Sequence, residues 1–129
     1  MNLNENNWLV IFHDEFNAEF DALSENVQDR LLAALALLKQ FGPNLGRPHV
    51  DALDRAETSN LKELRFDASN GVWRVAFAFD PKRQAIILVA GDKKGENQKK
   101  FYKNLIKTAD SRFNRWLAQE ENLNHGNDT

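Results

Sequence analysis

Apolar residues recur along this chain with two different periods, and each period predicts an element. Trp8-Leu9-Val10-Ile11-Phe12 is a short, unbroken apolar run, which reads as a buried first strand. Phe16, Phe20 and Leu23 then fall on one side of a short helix, with Asp14 as its expected cap. Ser24 is placed to cap a second helix that carries Val27, Leu31, Ala34, Leu35 and Leu38 at helical spacing through Phe41. Glu25 and Asp29 in its first turns suit the helix dipole, and Gly42-Pro43 ends it. Asn44 to Asn60 is poor in apolar residues and reads as a long surface connection with room for a short extended piece.

The period changes to two in the next segment. Three strands are expected at about Lys62–Phe66, Val72–Phe79 and Ala85–Gly91. The connection Asp67-Ala68-Ser69-Asn70-Gly71 carries the Asn-Gly turn pair, and Asp80-Pro81-Lys82-Arg83-Gln84 is a proline turn. Connections this short join antiparallel neighbours, so the three strands form a meander. Alternation puts Trp73, Val75, Phe77 and Phe79 on one face of the middle strand and Val72, Arg74, Ala76 and Ala78 on the other. The bulky set should face the helices, leaving Arg74 in an open, alanine-lined depression. If Asp67 pairs with Val72 and Asp80 with Ala85, then Arg65 stands opposite Arg74, and Arg74 opposite Gly91. A final helix over about Asn97–Glu120 has Phe101, Leu105, Ala109, Phe113 and Trp116 or Leu117 as its inner stripe, and the polar tail from about 122 to 129 should fray. The whole is an α+β domain spanning residues 1–129: an antiparallel sheet of the first strand plus the meander, backed by two N-terminal helices, with a C-terminal helix.

Composition narrows the chemistry. The chain has no cysteine, which excludes disulfides, thiolate metal sites and a cysteine nucleophile. The first seven residues lack the pattern of a signal peptide, and no apolar run is long enough to span a bilayer, so a soluble cytoplasmic protein is expected. A net charge of −2 hides a strong asymmetry. Residues 1–60 carry a balance of −6, residues 61–116 one of +7, and the last thirteen residues one of −3. A polyanion would be drawn to the second half.

Arginine inside a strand is costly without a partner. Two arginines facing each other across a sheet repel unless an anion bridges them. Glu63 and Asp92 are possible internal bridges. A phosphodiester held by Arg65 and Arg74 is the functional alternative. Lys93, Lys94, Lys99, Lys100, Lys103 and Lys107 extend the positive zone, and Lys99, Lys103 and Lys107 share one helix face, which would equally serve as a solvated surface. Tyr102 is either a core-boundary residue or a group beside the phosphate, donating a proton or stacking a base. His13, His49 and His125 show no metal-ligand spacing, and there is no phosphate-binding glycine loop, zinc pattern or serine-hydrolase elbow.

The ordered set Leu64-Arg65-Phe66, Trp73-Arg74-Val75-Ala76-Phe77, Gly91-Asp92-Lys93-Lys94 and Tyr102-Lys103 resembles the RelE/ParE superfamily of bacterial toxins, and more narrowly its phage-derived HigB-type branch. The resemblance runs from about Val10 to Leu117. It implies a type II toxin that cleaves mRNA on the ribosome, a ribose 2′-OH attacking the adjacent phosphate without metal or other cofactor. It implies phosphate binding by Arg74 and Arg65, a basic role for Lys93 or Lys94, and an aromatic near the site in Tyr102, with Lys93, Lys99, Lys100, Lys103 and Lys107 along the RNA. Glu63 stands where some members carry a basic residue, and Asp92 intrudes before the lysines. The general base is therefore open among Tyr102, Glu63, Asp92 and His49, with Tyr102 requiring a pKa lowered by nearby lysines. The resemblance also implies a cognate antitoxin of helix-turn-helix type, and contact with operator DNA through the toxin–antitoxin complex. Two other functions fit the same scaffold: a ParE-like inhibitor of DNA gyrase, and an inactive binding module or corepressor in which Glu63 and Asp92 neutralise the arginines.

Overall fold

The computed structural model describes residues 7–53 and 60–127, with side chains described through residue 122. The side chains of the expected C-terminal tail from residue 123 onward, including His125, fall outside that range. The elements follow in the order β1 (Leu9–Phe12), α1 (Asp14–Asp21), α2 (Glu25–Phe41), a 3-10 turn (Gly42–Asn44), β2 (Val50–Ala52), β3 (Leu61–Ala68), β4 (Gly71–Phe79), β5 (Gln84–Asp92) and α3 (Gln98–Asn127). The five strands form one sheet in the order β1-β5-β4-β3-β2.

The β3–β4–β5 meander is antiparallel, as its short turns require. The sheet as a whole is mixed rather than antiparallel, because β1 joins β5 in parallel. Turn length fixes direction only for strands joined by a short loop. β1 and β5 are far apart in sequence, so no local feature sets their direction. The long connection supplies the extra edge strand, β2, paired antiparallel to β3.

Both sheet faces are covered. On one, Phe16, Leu31, Leu35 and Leu38 of α1 and α2 pack with Leu64, Val75, Phe77 and Ile87. On the other, Leu105, Ile106, Ala109 and Phe113 of α3 pack with Ala76, Ala78, Ile86 and Leu88. The expected open depression is therefore absent: Ala76 and Ala78 are fully buried beneath a helix. Small side chains on the sheet let a helix axis come close, and dispersion contacts reward that approach. α3 also continues to Asn127, past the end expected near Glu120.

Two local devices were not anticipated. His13, rather than Asp14, caps α1: its Nδ1 accepts from the Glu15 amide at 3.2 Å. Burial holds the imidazole pKa below its usual value; Arg112 and Arg115 lower it further, while Glu15 and Asp14 act in the opposite sense. A base with a depressed folded pKa stabilises the fold fully above its unfolded value of about 6.5, and that contribution is lost as pH falls through the folded pKa. Thermal melts should therefore show Tm dropping between pH 7.5 and 5, and His13→Asn, which keeps a capping acceptor, should flatten that dependence.

The second device is a bulge. Ala76 pairs with Val89 but Phe77 pairs with Ile87, so Leu88 is the extra residue. Its freed carbonyl accepts from Arg112 Nη1 at 2.7 Å. The same buried guanidinium makes paired hydrogen bonds to Glu19 at 2.8 and 2.6 Å, and its pKa is raised, chiefly by Glu19. Arg112 thus ties α3 to α1 around the sheet. Arg112→Ala should cost on the order of 2–3 kcal/mol, since Glu19 is half exposed and screens part of the loss. A denaturant titration measures this directly, and a change below about 0.5 kcal/mol would show that the clamp is incidental.

Candidate active site

Alternation along β3 puts Glu63 and Arg65 on the α3 side of the sheet, and register puts Arg65 opposite Arg74 and Arg74 opposite Gly91. Both cross-strand pairings follow the sequence expectation, although the β4–β5 turn differs from it. The turn closes on Asp80 and Gln84 instead of Asp80 and Ala85, and the bulge at Leu88 restores the offset before Arg74.

The two guanidiniums converge on one buried carboxylate. Arg65 Nε and Arg74 Nε each lie 3.6 Å from Glu63 Oε1, and the Tyr102 hydroxyl donates to the same oxygen at 2.9 Å. Arg74 is nearly buried and is further fixed by donating to the Trp73 carbonyl at 2.9 Å. Arg65 is about a third exposed and forms the outer member of the pair. Glu63 Oε2, Arg65 Nε and Arg74 Nε are buried without a hydrogen-bond partner among the described residues. The cluster therefore holds spare donors and one spare acceptor, which is expensive unless something uses them.

Gly91 explains how Tyr102 reaches the cluster. A Cβ there would come within 2.8 Å of the Phe101 ring, so the glycine lets the start of α3 lie against the sheet. Lys93 stands over the Tyr102 ring at 5.8 Å. Burial lowers the Lys93 pKa, and Arg74 lowers it further. The Tyr102 pKa moves opposite to the sequence expectation: burial raises it, and the hydrogen bond to Glu63 raises it again. A phenol that donates to a carboxylate is stabilised as the phenol, and together with burial this outweighs the lowering by Arg74.

A cavity of about 550 Å³ opens beside the cluster, between α3 and the β2 edge, lined by Asp51, Leu53, Glu63, Arg65, Gln98 and Tyr102 among others. The remaining expected residues divide around it. Lys99 lines both this cavity and a groove of about 480 Å³ along α3 that also holds Lys103 and Lys107. Lys100 lies on another side of the helix, in a shallow pocket with Gly91 and Phe101. Lys94 is exposed after β5, with its amide donating to Asp92. Asp92 is occupied by backbone: Oδ1 accepts from Val72 at 2.9 Å and Lys94 at 3.0 Å, tying two turns together. His49 joins the row through its carbonyl, which accepts from the Arg65 amide at 2.8 Å. Trp8 packs edge-on against Phe79, and Trp73 stacks on Phe66; both tryptophans are half-buried at the margin of the core. Among the described residues no group of three or more His, Asp or Glu side chains is arranged to hold a metal ion.

Residues 18–114 match the family model described as "Phage derived protein Gp49-like". This chain belongs to that family. The chain is 44% identical over 111 residues to "Putative toxin HigB3" of Mycobacterium tuberculosis, spanning 86% of this chain and 95% of the relative. It is 40% identical over 110 residues to "Putative toxin HigB2" of the same organism, spanning 84% of this chain and 54% of that longer protein. An Escherichia coli RelE toxin, solved free as a double arginine-to-alanine mutant, superposes with a TM-score of 0.53 at 11% identity, covering 78% of this chain and 94% of RelE. This likeness establishes a RelE-type fold. The HigB-type resemblance carried by Leu64-Arg65-Phe66 and Trp73-Arg74-Val75 is thus borne out at the level of family and fold. No helix among the described residues is long and apolar enough to cross a membrane.

Glu63 is the residue whose importance the sequence understated. It was one of four candidate bases and one of two candidate neutralisers, and it alone contacts both arginines and the tyrosine. Asp51 and Gln98 gave no sequence signal, because cavity walls contributed by an edge strand and a helix start have no local period.

Proposed function

We propose that this Gp49-like protein is the toxin of a type II toxin–antitoxin system and acts as an endoribonuclease on translated mRNA. The observation that carries this reading is one buried carboxylate shared by two guanidiniums and a phenol at the wall of a nucleotide-sized cavity. In the proposed reaction Glu63 accepts the 2′-OH proton as that oxygen bonds to the adjacent phosphorus. Arg74 and Arg65 then exchange their contact with Glu63 for the phosphoryl oxygens, on which negative charge develops. The P–O5′ bond breaks, leaving a 2′,3′-cyclic phosphate and a 5′-hydroxyl. Tyr102 stays protonated by its raised pKa and orients Glu63. Lys93, with its pKa lowered, is suited to give the leaving oxygen its proton. Lys94, Lys99, Lys100, Lys103 and Lys107 serve RNA attraction, an electrostatic contribution that salt should weaken.

The ribosome positions the mRNA in this reading, and a cognate antitoxin of helix-turn-helix type covers the site and carries the complex to operator DNA. The cytoplasm is where these partners meet. Induction of the protein followed by primer extension on cellular mRNA tests the proposal. Cuts inside translated codons are expected. Intact mRNA with double-strand DNA breaks would instead favour gyrase inhibition, and growth without either lesion would favour an inactive binding module.

A further inference from the structure

We propose that the cavity beside Glu63 reads guanine, with Asp51 as the specificity-determining side chain. This inference rests on the nuclease reading and names the base it prefers. Asp51 pairs with Glu63 in the β2–β3 ladder, so the two carboxylates are neighbours on one face of the sheet and both line the cavity. A nucleotide whose 2′-OH lies at Glu63 and whose phosphate lies at Arg65 therefore extends its base toward Asp51. Leu53 and Tyr102 supply apolar and aromatic walls for the base plane, and Gln98 stands on the α3 side.

The Asp51 carboxylate is held in orientation by its own strand, with Oδ1 accepting from the Ala52 amide at 2.9 Å. That hydrogen bond, followed by Arg47, keeps its pKa below the usual value, so near neutral pH it accepts only. Guanine alone among the four RNA bases presents two adjacent N–H donors, N1–H and N2–H, on its Watson–Crick edge. Adenine and cytosine each offer one amino donor beside an acceptor, and uracil offers one imide donor between two carbonyls. A carboxylate fits the first pattern and opposes an acceptor in the others. Arg47 also pairs with Asp51, at 3.1 Å, but its side chain is 77% exposed, and such a surface contact yields readily to a ligand.

The test is calorimetric titration of the intact purified protein with guanosine, adenosine, cytidine and uridine 3′-monophosphates, paired with sequence mapping of cellular cleavage sites. Guanosine 3′-monophosphate should bind at least about tenfold more tightly than the others. Asp51→Asn should equalise the four, and Arg47→Ala should preserve the preference. Equal affinities, no measurable binding, or a preference that survives Asp51→Asn would overturn the inference. In the cleavage map, guanine should be enriched at the nucleotide whose 2′-OH attacks. Cuts without that enrichment would sink the base-reading site and leave the nuclease intact. Guanine-selective binding without any mRNA cleavage would sink the nuclease and leave the site standing.

Discussion

Glu63→Gln should lower mRNA cleavage by about 10²–10⁴-fold, measured as primer-extension product per unit of induced protein. Glutamine keeps the size and can still accept from Tyr102, but it cannot take the 2′-OH proton. The sign of the effect separates two readings of the same contacts. If Glu63 only neutralises Arg65 and Arg74, as in an inactive or restrained module, its removal frees the guanidiniums and cleavage rises or stays unchanged. If it is the base, cleavage collapses. The substitution also leaves Arg65 and Arg74 facing each other without a counter-charge. A fall in Tm of several degrees is therefore expected, and activity should be compared at a temperature where both proteins remain folded.

Arg74→Ala is the second large effect. The arginine is nearly buried and doubly fixed by Glu63 and the Trp73 carbonyl, so its guanidinium is preorganised for charge that appears only during the reaction. Cleavage should fall by about 10²–10³-fold, and growth arrest on induction should disappear. Arg65→Ala should cost less, because its side chain is more solvated and Arg74 remains. Equal activity of Arg74→Ala and the parent chain would remove the phosphate role. A soluble, cooperatively melting variant is the control that separates lost chemistry from lost fold.

Much of the site could be anticipated because it is built from features with a local period. Alternation put Arg65 and Arg74 on one face, and the β3–β4 turn set them opposite each other. Arg74 meets Gly91 only because the Leu88 bulge offsets a β4–β5 turn that closes one residue earlier than expected. The Ser24 cap and the stripe Val27, Leu31, Leu35 and Leu38 similarly fixed α2. What failed was contact between elements distant in sequence. Nothing near Ala76 or Ala78 tells whether α3 covers them, since alanine suits both an open hollow and a closely packed helix. The parallel entry of β1 and the capture of Arg112 by Glu19 are long-range events of the same kind. The Tyr102 shift was misjudged because neighbouring lysines are visible in the sequence, whereas its hydrogen bond to Glu63 depends on α3 lying across β3.

The inserted Leu88 has an outcome beyond the carbonyl it presents to Arg112. Had the hairpin closing on Asp80 and Gln84 run to its end without interruption, Ala90 would stand across from Arg74. One added residue shifts the strand by a single step and delivers Gly91 there instead, where the Phe101 ring leaves no room for even a methyl group. One extra residue in β5 thereby decides how closely the start of α3, with Phe101 and Tyr102, can settle on the sheet.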